Sequence, residues 1–174
     1  GEIVVNTDAT SRPRGDSLKA LVRAFRDPEV GVASGRDVSV GSAAGAVEGE
    51  SGYVGYEMWV RDLETRTGGI VGSSGCLYAI RRRLHRKLVP EDLSRDFISA
   101  LNAREEGFRA VSVSDALVEV PRASSLREEY RRKVRTMARG LSSIWYKRSL
   151  LNPFRWGAFA WKLGSHKLER WLVP

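Results

Sequence analysis

Cysteine is nearly absent from this chain. Cys76 stands alone among 174 residues, which excludes an internal disulfide framework and suits reducing surroundings. Histidine is scarce as well. His85 and His166 each sit among cations, read as surface residues and carry no assigned role. No apolar run reaches the roughly 18 residues that a membrane span needs, so none is expected within the chain. The glycines fit neither the Walker nor the dinucleotide spacing, and no internal repeat is found. An opening Met, a signal peptide and a leading arm are all missing, because residues 2–5 already read as an internal strand. The chain is therefore expected to be a fragment whose upstream part is absent.

What is present suffices for one domain with a core. The net charge of +8 is unevenly spread. Residues 121–174 hold 13 Lys and Arg against 3 Asp and Glu, a net +10, while residues 1–120 hold 16 against 18, a net −2. A nearly neutral body with a basic, aromatic tail calls for an anionic partner at the tail, whether phosphates, nucleic acid or a lipid surface.

The organising stretch lies at the start. Ile3, Val4 and Val5 form a β-branched run expected to be a strand buried on both faces. The run stops at Asp8, a loop follows through Pro13 and Gly15, and Leu18, Leu21, Val22 and Phe25 then recur at helical spacing, with Asp16 or Ser17 as N-cap. A carboxylate at the carboxyl end of a strand lies where open α/β sheets bind ligands. Asp8 is thus a candidate ligand for a Mg²⁺-type cation, which takes one or two carboxylates plus substrate phosphates. The competing reading is an Asp that caps the loop or makes an Asx turn.

Further along, residues 30–36 read as a second strand, residues 38–52 as a patternless loop or weak strand, and residues 53–67 as a largely buried helix. Gly68, Gly69, Gly72 and Gly75 allow close backbone approach ahead of a strand at residues 76–80. Cys76, with no base beside it, reads as packing. After a basic stretch and a turn at Glu91 and Asp92, Ser94 caps a helix with Phe97, Ile98, Ala100 and Leu101 as its stripe and Gly107 as its stop. Residues 108–113 and 116–120 read as two extended segments. Residues 126–141 form a basic helix carrying Arg127, Arg131, Arg132, Lys133, Arg135 and Arg139. Trp156, Phe159, Ala160 and Leu163 then recur at helical spacing, with Leu168, Trp171 and Leu172 beyond, a pattern suited to helices in a bilayer interface, against the competing reading of a helix packed on the domain.

In order and spacing these elements resemble the second half of a family 2 glycosyltransferase domain of the membrane polysaccharide synthase type, similar to cellulose, hyaluronan and poly-N-acetylglucosamine synthases. The strand ending at Asp8-Ala-Thr10 resembles the Asp-x-Asp metal motif. Gly72-Ser-Ser-Gly75-Cys76 is similar to the glycine-rich strand beside the acceptor. Arg95-Asp96 falls where the family has the last two residues of Thr-Glu-Asp, and Arg132 to Thr136 fall at Gln-x-x-Arg-Trp. Thr10, Arg95, Arg132 and Thr136 depart from those motifs.

The resemblance implies a partial GT-A-like α/β domain over residues 1–140, a mostly parallel sheet flanked by helices. Amphipathic interfacial helices over 141–174 would lead towards a membrane span. It implies metal-dependent inverting transfer of a sugar from a nucleotide-sugar to a hydroxyl of a saccharide or lipid-linked acceptor, in polysaccharide synthesis. Asp8 and Thr10 would hold Mg²⁺ or Mn²⁺, Asp96 would be the base, and Gly75, Cys76, Arg132 and Arg135 would contact substrates. Glu91 and Asp92 compete for the base role. The parent protein would sit in the cell membrane with this domain on the cytoplasmic face. The fragment alone would be inactive and bind no nucleic acid. The other classes are a membrane-peripheral scaffold with a degenerate transferase domain and a basic nucleic-acid-binding module, for which the +10 tail is the sole support.

Overall fold

The computed structural model describes residues 1–40, 48–85, 89–121 and 126–169. Five strands form one sheet in the order β1 (Ile3–Thr7), β4 (Leu77–Arg81), β3 (Val30–Val40), β5 (Arg109–Pro121), β2 (Arg12–Pro13). The α/β class agrees with expectation, but the pairing does not. β1–β4, β3–β4 and β2–β5 are antiparallel, and β3–β5 is parallel. β4 returns antiparallel between β1 and β3, so only β3 and β5 are joined by the crossover that parallel pairing requires.

Side chains alternate across the strands. Leu77 and Ala79 of β4 join Val30, Ala33 and Val118 beneath α1 (Ser17–Ala24). Tyr78 and Ile80 face the other way, with Val32, beneath α3 (Arg82–His85) and α4 (Arg95–Glu105). The expected apolar stripe of α4 has two jobs. Ala100 and Ala103 lie on the sheet, where small residues allow close approach. Phe97, Ile98 and Leu101 pack outward on Ile144, Leu150, Phe159 and Leu163. The segment expected to lie in a bilayer therefore turns Phe159 and Leu163 into the protein core. α5 (Leu126–Tyr146), a 3₁₀ turn (Arg148–Leu151), α6 (Pro153–Trp156), α7 (Ala158–Lys162) and a π turn (Leu163–Leu168) make up this outer layer.

Several local expectations change. β1 is an edge strand, and its Val5 is 39% exposed rather than buried on both faces. On α1 the expected stripe is split: Leu21 and Phe25 are buried, while Leu18 and Val22 are exposed. The stretch read as patternless contributes the end of β3 and the start of the next helix, and residues 41–47 between them lie outside the described ones. That helix, α2 (Glu48–Arg66), buries Arg61 and Glu64 and exposes Tyr56, Trp59 and Leu63. Its buried polar groups have partners. Arg61 Nη2 donates to the Gly72 carbonyl at 2.9 Å, and Lys162 Nζ donates to the carbonyls of Glu64, Thr67 and Gly69. The two extended segments at 108–120 are one strand, β5, with a register irregularity opposite Ser34 and Arg36. His166 is not a surface residue, since its Nδ1 lies 2.8 Å from Glu64 Oε1 with both side chains largely buried. Trp171 and Leu172 lie outside the described residues.

Candidate active site

Antiparallel pairing of β1 with β4 sets Thr7 opposite Leu77. The end of the first strand therefore lies beside the glycine-rich segment that feeds the fourth. The Cys76 carbonyl accepts from the Asp8 amide at 3.3 Å and from Thr7 Oγ1 at 3.0 Å. Three residues earlier, Ser73 Oγ donates to the Asp96 carbonyl at 2.5 Å. Residues 73–76 thus link the end of β1 to the first turn of α4.

The cleft so formed has a volume of about 390 Å³ and is lined by Asp8, Gly75, Tyr78, Glu91, Asp96 and Arg139, among others. Residues 8 and 96 are far apart along the chain and meet here. Gly75 lies directly beside the acid: a Cβ there would lie 3.4 Å from Asp96 Oδ2, an ordinary contact distance. Asp96 is half-buried, and its Oδ1 accepts from Ser94 Oγ at 2.7 Å. Burial raises the Tyr78 phenol above its ordinary value; a hydrogen bond with Ser99 opposes this, and the nearby Asp96 charge adds to it. Tyr78 stays a neutral hydrogen-bonding group at neutral pH.

Behind this segment lies a further carboxylate. Asp37 Oδ1 accepts from Ser74 Oγ at 2.6 Å, and the Ser74 amide donates to Ser34 Oγ at 2.8 Å. Burial is the main cause that raises Asp37 above the usual carboxylate range, against the Ser74 bond and the Arg61 charge. Neither Asp37 nor Ser34 carried a sequence signal, because their partners lie some 40 residues away. The Cys76 side chain packs on the core beneath α1. Burial and then the Asp37 charge push its thiol up to about 11. That agrees with packing, while its carbonyl serves the site.

The remaining expected residues divide. Glu91 lines the cleft with Asp96, whereas Asp92 lines a neighbouring apolar hollow. Thr10 is exposed and does not line the cleft; neither do Arg132 and Arg135, which are exposed on α5. Arg139 does, one helical turn further on. Arg132, Arg135 and Arg139 follow at three- and four-residue steps, so they share one helix face, and only position along the axis separates them. A helical projection of the basic run would have flagged Arg139 equally.

Among the described residues no group of three or more His, Cys, Asp or Glu side chains is placed to hold a metal. A fully protein-built cage is therefore not formed by them. A hard cation that keeps its waters and shares phosphate oxygens needs less, and one exposed carboxylate at a cleft edge meets that need. Asp8 fits it.

The fold and cleft belong to a recognisable class. Among solved structures, the mannosyltransferase PcManGT from Pyrobaculum calidifontis, in complex with GDP-Man and Mn²⁺, is similar to the chain. Its TM-score is 0.61 and its identity 24%, over 83% of this chain and 39% of that one. At that identity the likeness establishes a shared glycosyltransferase fold, and the chain spans well under half of that protein. Comparison with curated protein sequences gives no significant match. The family model described as Glycosyl transferase family group 2 matches residues 3–169. The chain belongs to this family, whose class of reaction is sugar transfer.

Proposed function

We propose that the protein carrying this chain transfers a hexose from a nucleotide-sugar to an acceptor hydroxyl with inversion, using Mg²⁺ or Mn²⁺, in polysaccharide synthesis at the cell membrane. The observation that carries this reading is the meeting of Asp8, Asp96 and Arg139 at one cleft. Asp96 takes the acceptor's proton at its carboxylate, and Ser94 Oγ holds that carboxylate in place. General-base help of this kind typically contributes about 10²–10⁴-fold. The Arg139 guanidinium suits bidentate contact with a diphosphate oxygen pair, and Arg132 and Arg135 extend the same cationic face. Gly75 leaves the acceptor room against the backbone. Asp8 would hold the cation, which when bound neutralises charge on the departing diphosphate.

Two surface features support the membrane part of the reading. Trp145, Tyr146, Phe154 and Trp161 are well exposed, and Arg148 and Arg155 lie over Trp145 and Trp156. Aromatic and cationic side chains together suit a lipid headgroup boundary. An apolar hollow of about 950 Å³, lined by Leu141, Ile144, Trp145 and Leu151, shares Leu93 with the cleft. It favours an acceptor with an apolar part, as a lipid-linked one has. No helix among the described residues is long and apolar enough to cross a membrane.

The test is a donor screen with the full-length protein: several nucleotide-sugars, each with Mg²⁺ or Mn²⁺, following nucleotide release. Release with one donor, lost in Asp96→Asn while donor still binds, supports the proposal. No release with any donor, together with membrane association, supports the scaffold reading instead. Steeply salt-dependent binding to DNA or RNA that ignores Asp96→Asn supports the nucleic-acid reading.

A further inference from the structure

Three hydrogen bonds run between the cationic helix and the acid of the cleft, through two serines. On α5, Ser143 is fully buried, with 0% exposure, and its Oγ donates to the Arg139 carbonyl at 2.7 Å. The same oxygen accepts from the Ser94 amide at 3.1 Å, across the interface between α5 and α4. Ser94 Oγ in turn donates to Asp96 Oδ1 at 2.7 Å. A serine in a helix commonly bonds the carbonyl four residues back. Here that oxygen also serves an amide at the start of another helix, which would otherwise lie partnerless at a buried contact. The Ser94 hydroxyl is used on the Asp96 carboxylate and makes no side-chain cap of its own helix. The backbone that carries Arg139 and the carboxylate of Asp96 are therefore joined by hydrogen bonds rather than by apolar contact alone.

We propose that Ser143 and Ser94 are positioning residues that set the distance between the diphosphate-side cation Arg139 and the base Asp96. The proposal rests on the transfer reading given above. Held groups of this kind gain rate because the reacting geometry is formed in advance, and a displacement of about 1 Å can cost on the order of a hundredfold.

The experiment uses the full-length protein with the donor that the screen identifies, and compares Ser94→Ala, Ser143→Ala, the double variant, Ser94→Thr and Asp96→Asn. Ser94→Ala is expected to lower kcat roughly tenfold or more while leaving the donor KM unchanged, since Arg139 keeps its place. Ser143→Ala is expected to lower kcat and also raise the donor KM, since both ends move. The double variant should lose no more than Ser143→Ala alone, because the Ser94 hydroxyl places Asp96 only while Ser143 holds the Ser94 amide. Ser94→Thr keeps the hydroxyl and should restore kcat. A merely structural pair would lower the melting temperature without this split between kcat and KM. Wild-type kcat in both single variants, or losses that multiply in the double variant, would overturn the proposal. If Ser143→Ala does not fold, Ser94→Ala and Ser94→Thr decide the matter by loss and rescue. Asp96→Asn with wild-type turnover would overturn the base assignment itself, an outcome separate from the serine results.

Discussion

Gly35 sits in β3 between Ser34, which holds the Ser74 amide, and Asp37, which holds the Ser74 hydroxyl two residues further on. An added Cβ would meet the Ala116 carbonyl oxygen at 2.9 Å, Leu77 Cδ2 at 3.1 Å and the Leu77 carbonyl oxygen at 3.2 Å. Two of those atoms are backbone in neighbouring strands and cannot swing aside as a side chain does. Gly35→Ala must therefore part β3 from β5 or β4 by a few tenths of an ångström. Overpacking of this kind costs about 1–3 kcal/mol. For a chain of this size, about 2 kcal/mol lowers the melting temperature by about 4–8 °C. Gly15 provides the control, since nothing lies within 4 Å of its Cβ position. Gly31 is at least as tight, because the closest atom, at 2.6 Å, is Phe108 Cβ, which moves only with its backbone, and Leu84 Cδ1 follows at 2.8 Å. Thermal unfolding of the three alanine variants should show Gly35 and Gly31 as damaging and Gly15 as close to wild type. A Gly35→Ala melting point within 1 °C of wild type, on the order of the precision of a few tenths of a kcal/mol, would refute this account of the sheet.

Three further outcomes follow from the same contacts. Asp37 titrates above its ordinary 3.8 through burial, so the folded state holds that proton more tightly than the unfolded chain. Its contribution to stability is full below pH 3.8 and is lost as pH rises through the raised folded value. Asp37→Asn should therefore raise the melting temperature at pH 7, with the gain vanishing near pH 3; a constant offset across that range would refute it. Removing His166 leaves the buried Glu64, among the described residues, with the 3.4 Å Val71 amide and the nearby Lys162 charge. His166→Ala should cost about 1.5–3 kcal/mol in urea unfolding, against about 0–0.5 kcal/mol for Lys19→Ala at the exposed pair with Asp16. Equal losses would count against the buried pair. The Cys76 thiol, raised to about 11 by burial and the Asp37 charge, should alkylate with iodoacetamide at pH 8 on the order of a hundredfold more slowly than an exposed cysteine. Labelling at the rate of glutathione would show that the thiol is not packed as described.

Local pattern carried the reading of some elements and misled on others. α4 was legible end to end, because Ser94, the apolar stripe and Gly107 mark start, face and stop within one helix. Strand β4 was legible for the same reason. α2 was not: its apolar residues suggested a buried helix, yet Arg61 and Glu64 are the buried ones, since their partners Gly72, Val71 and His166 come from other parts of the chain. The C-terminal stripe was seen, but periodicity reports a face and not what covers it, and α4 covers it here. At the site, the nearness of Asp8 and Asp96 came from likeness to a family rather than from spacing. Ser143 and Asp37 had to wait for coordinates, because a hydrogen bond across 37 to 49 residues leaves no local trace.

β1 stands first in the strand order. It bonds to β4 on one side and forms a margin of the described sheet. Its outward N–H and C=O groups face away from β4, and a margin of that kind accepts another strand readily. Whatever segment joins there would run directly alongside Asn6, Thr7 and Asp8. Assembly along that margin would therefore bear directly on the position of the Asp8 carboxylate at its end.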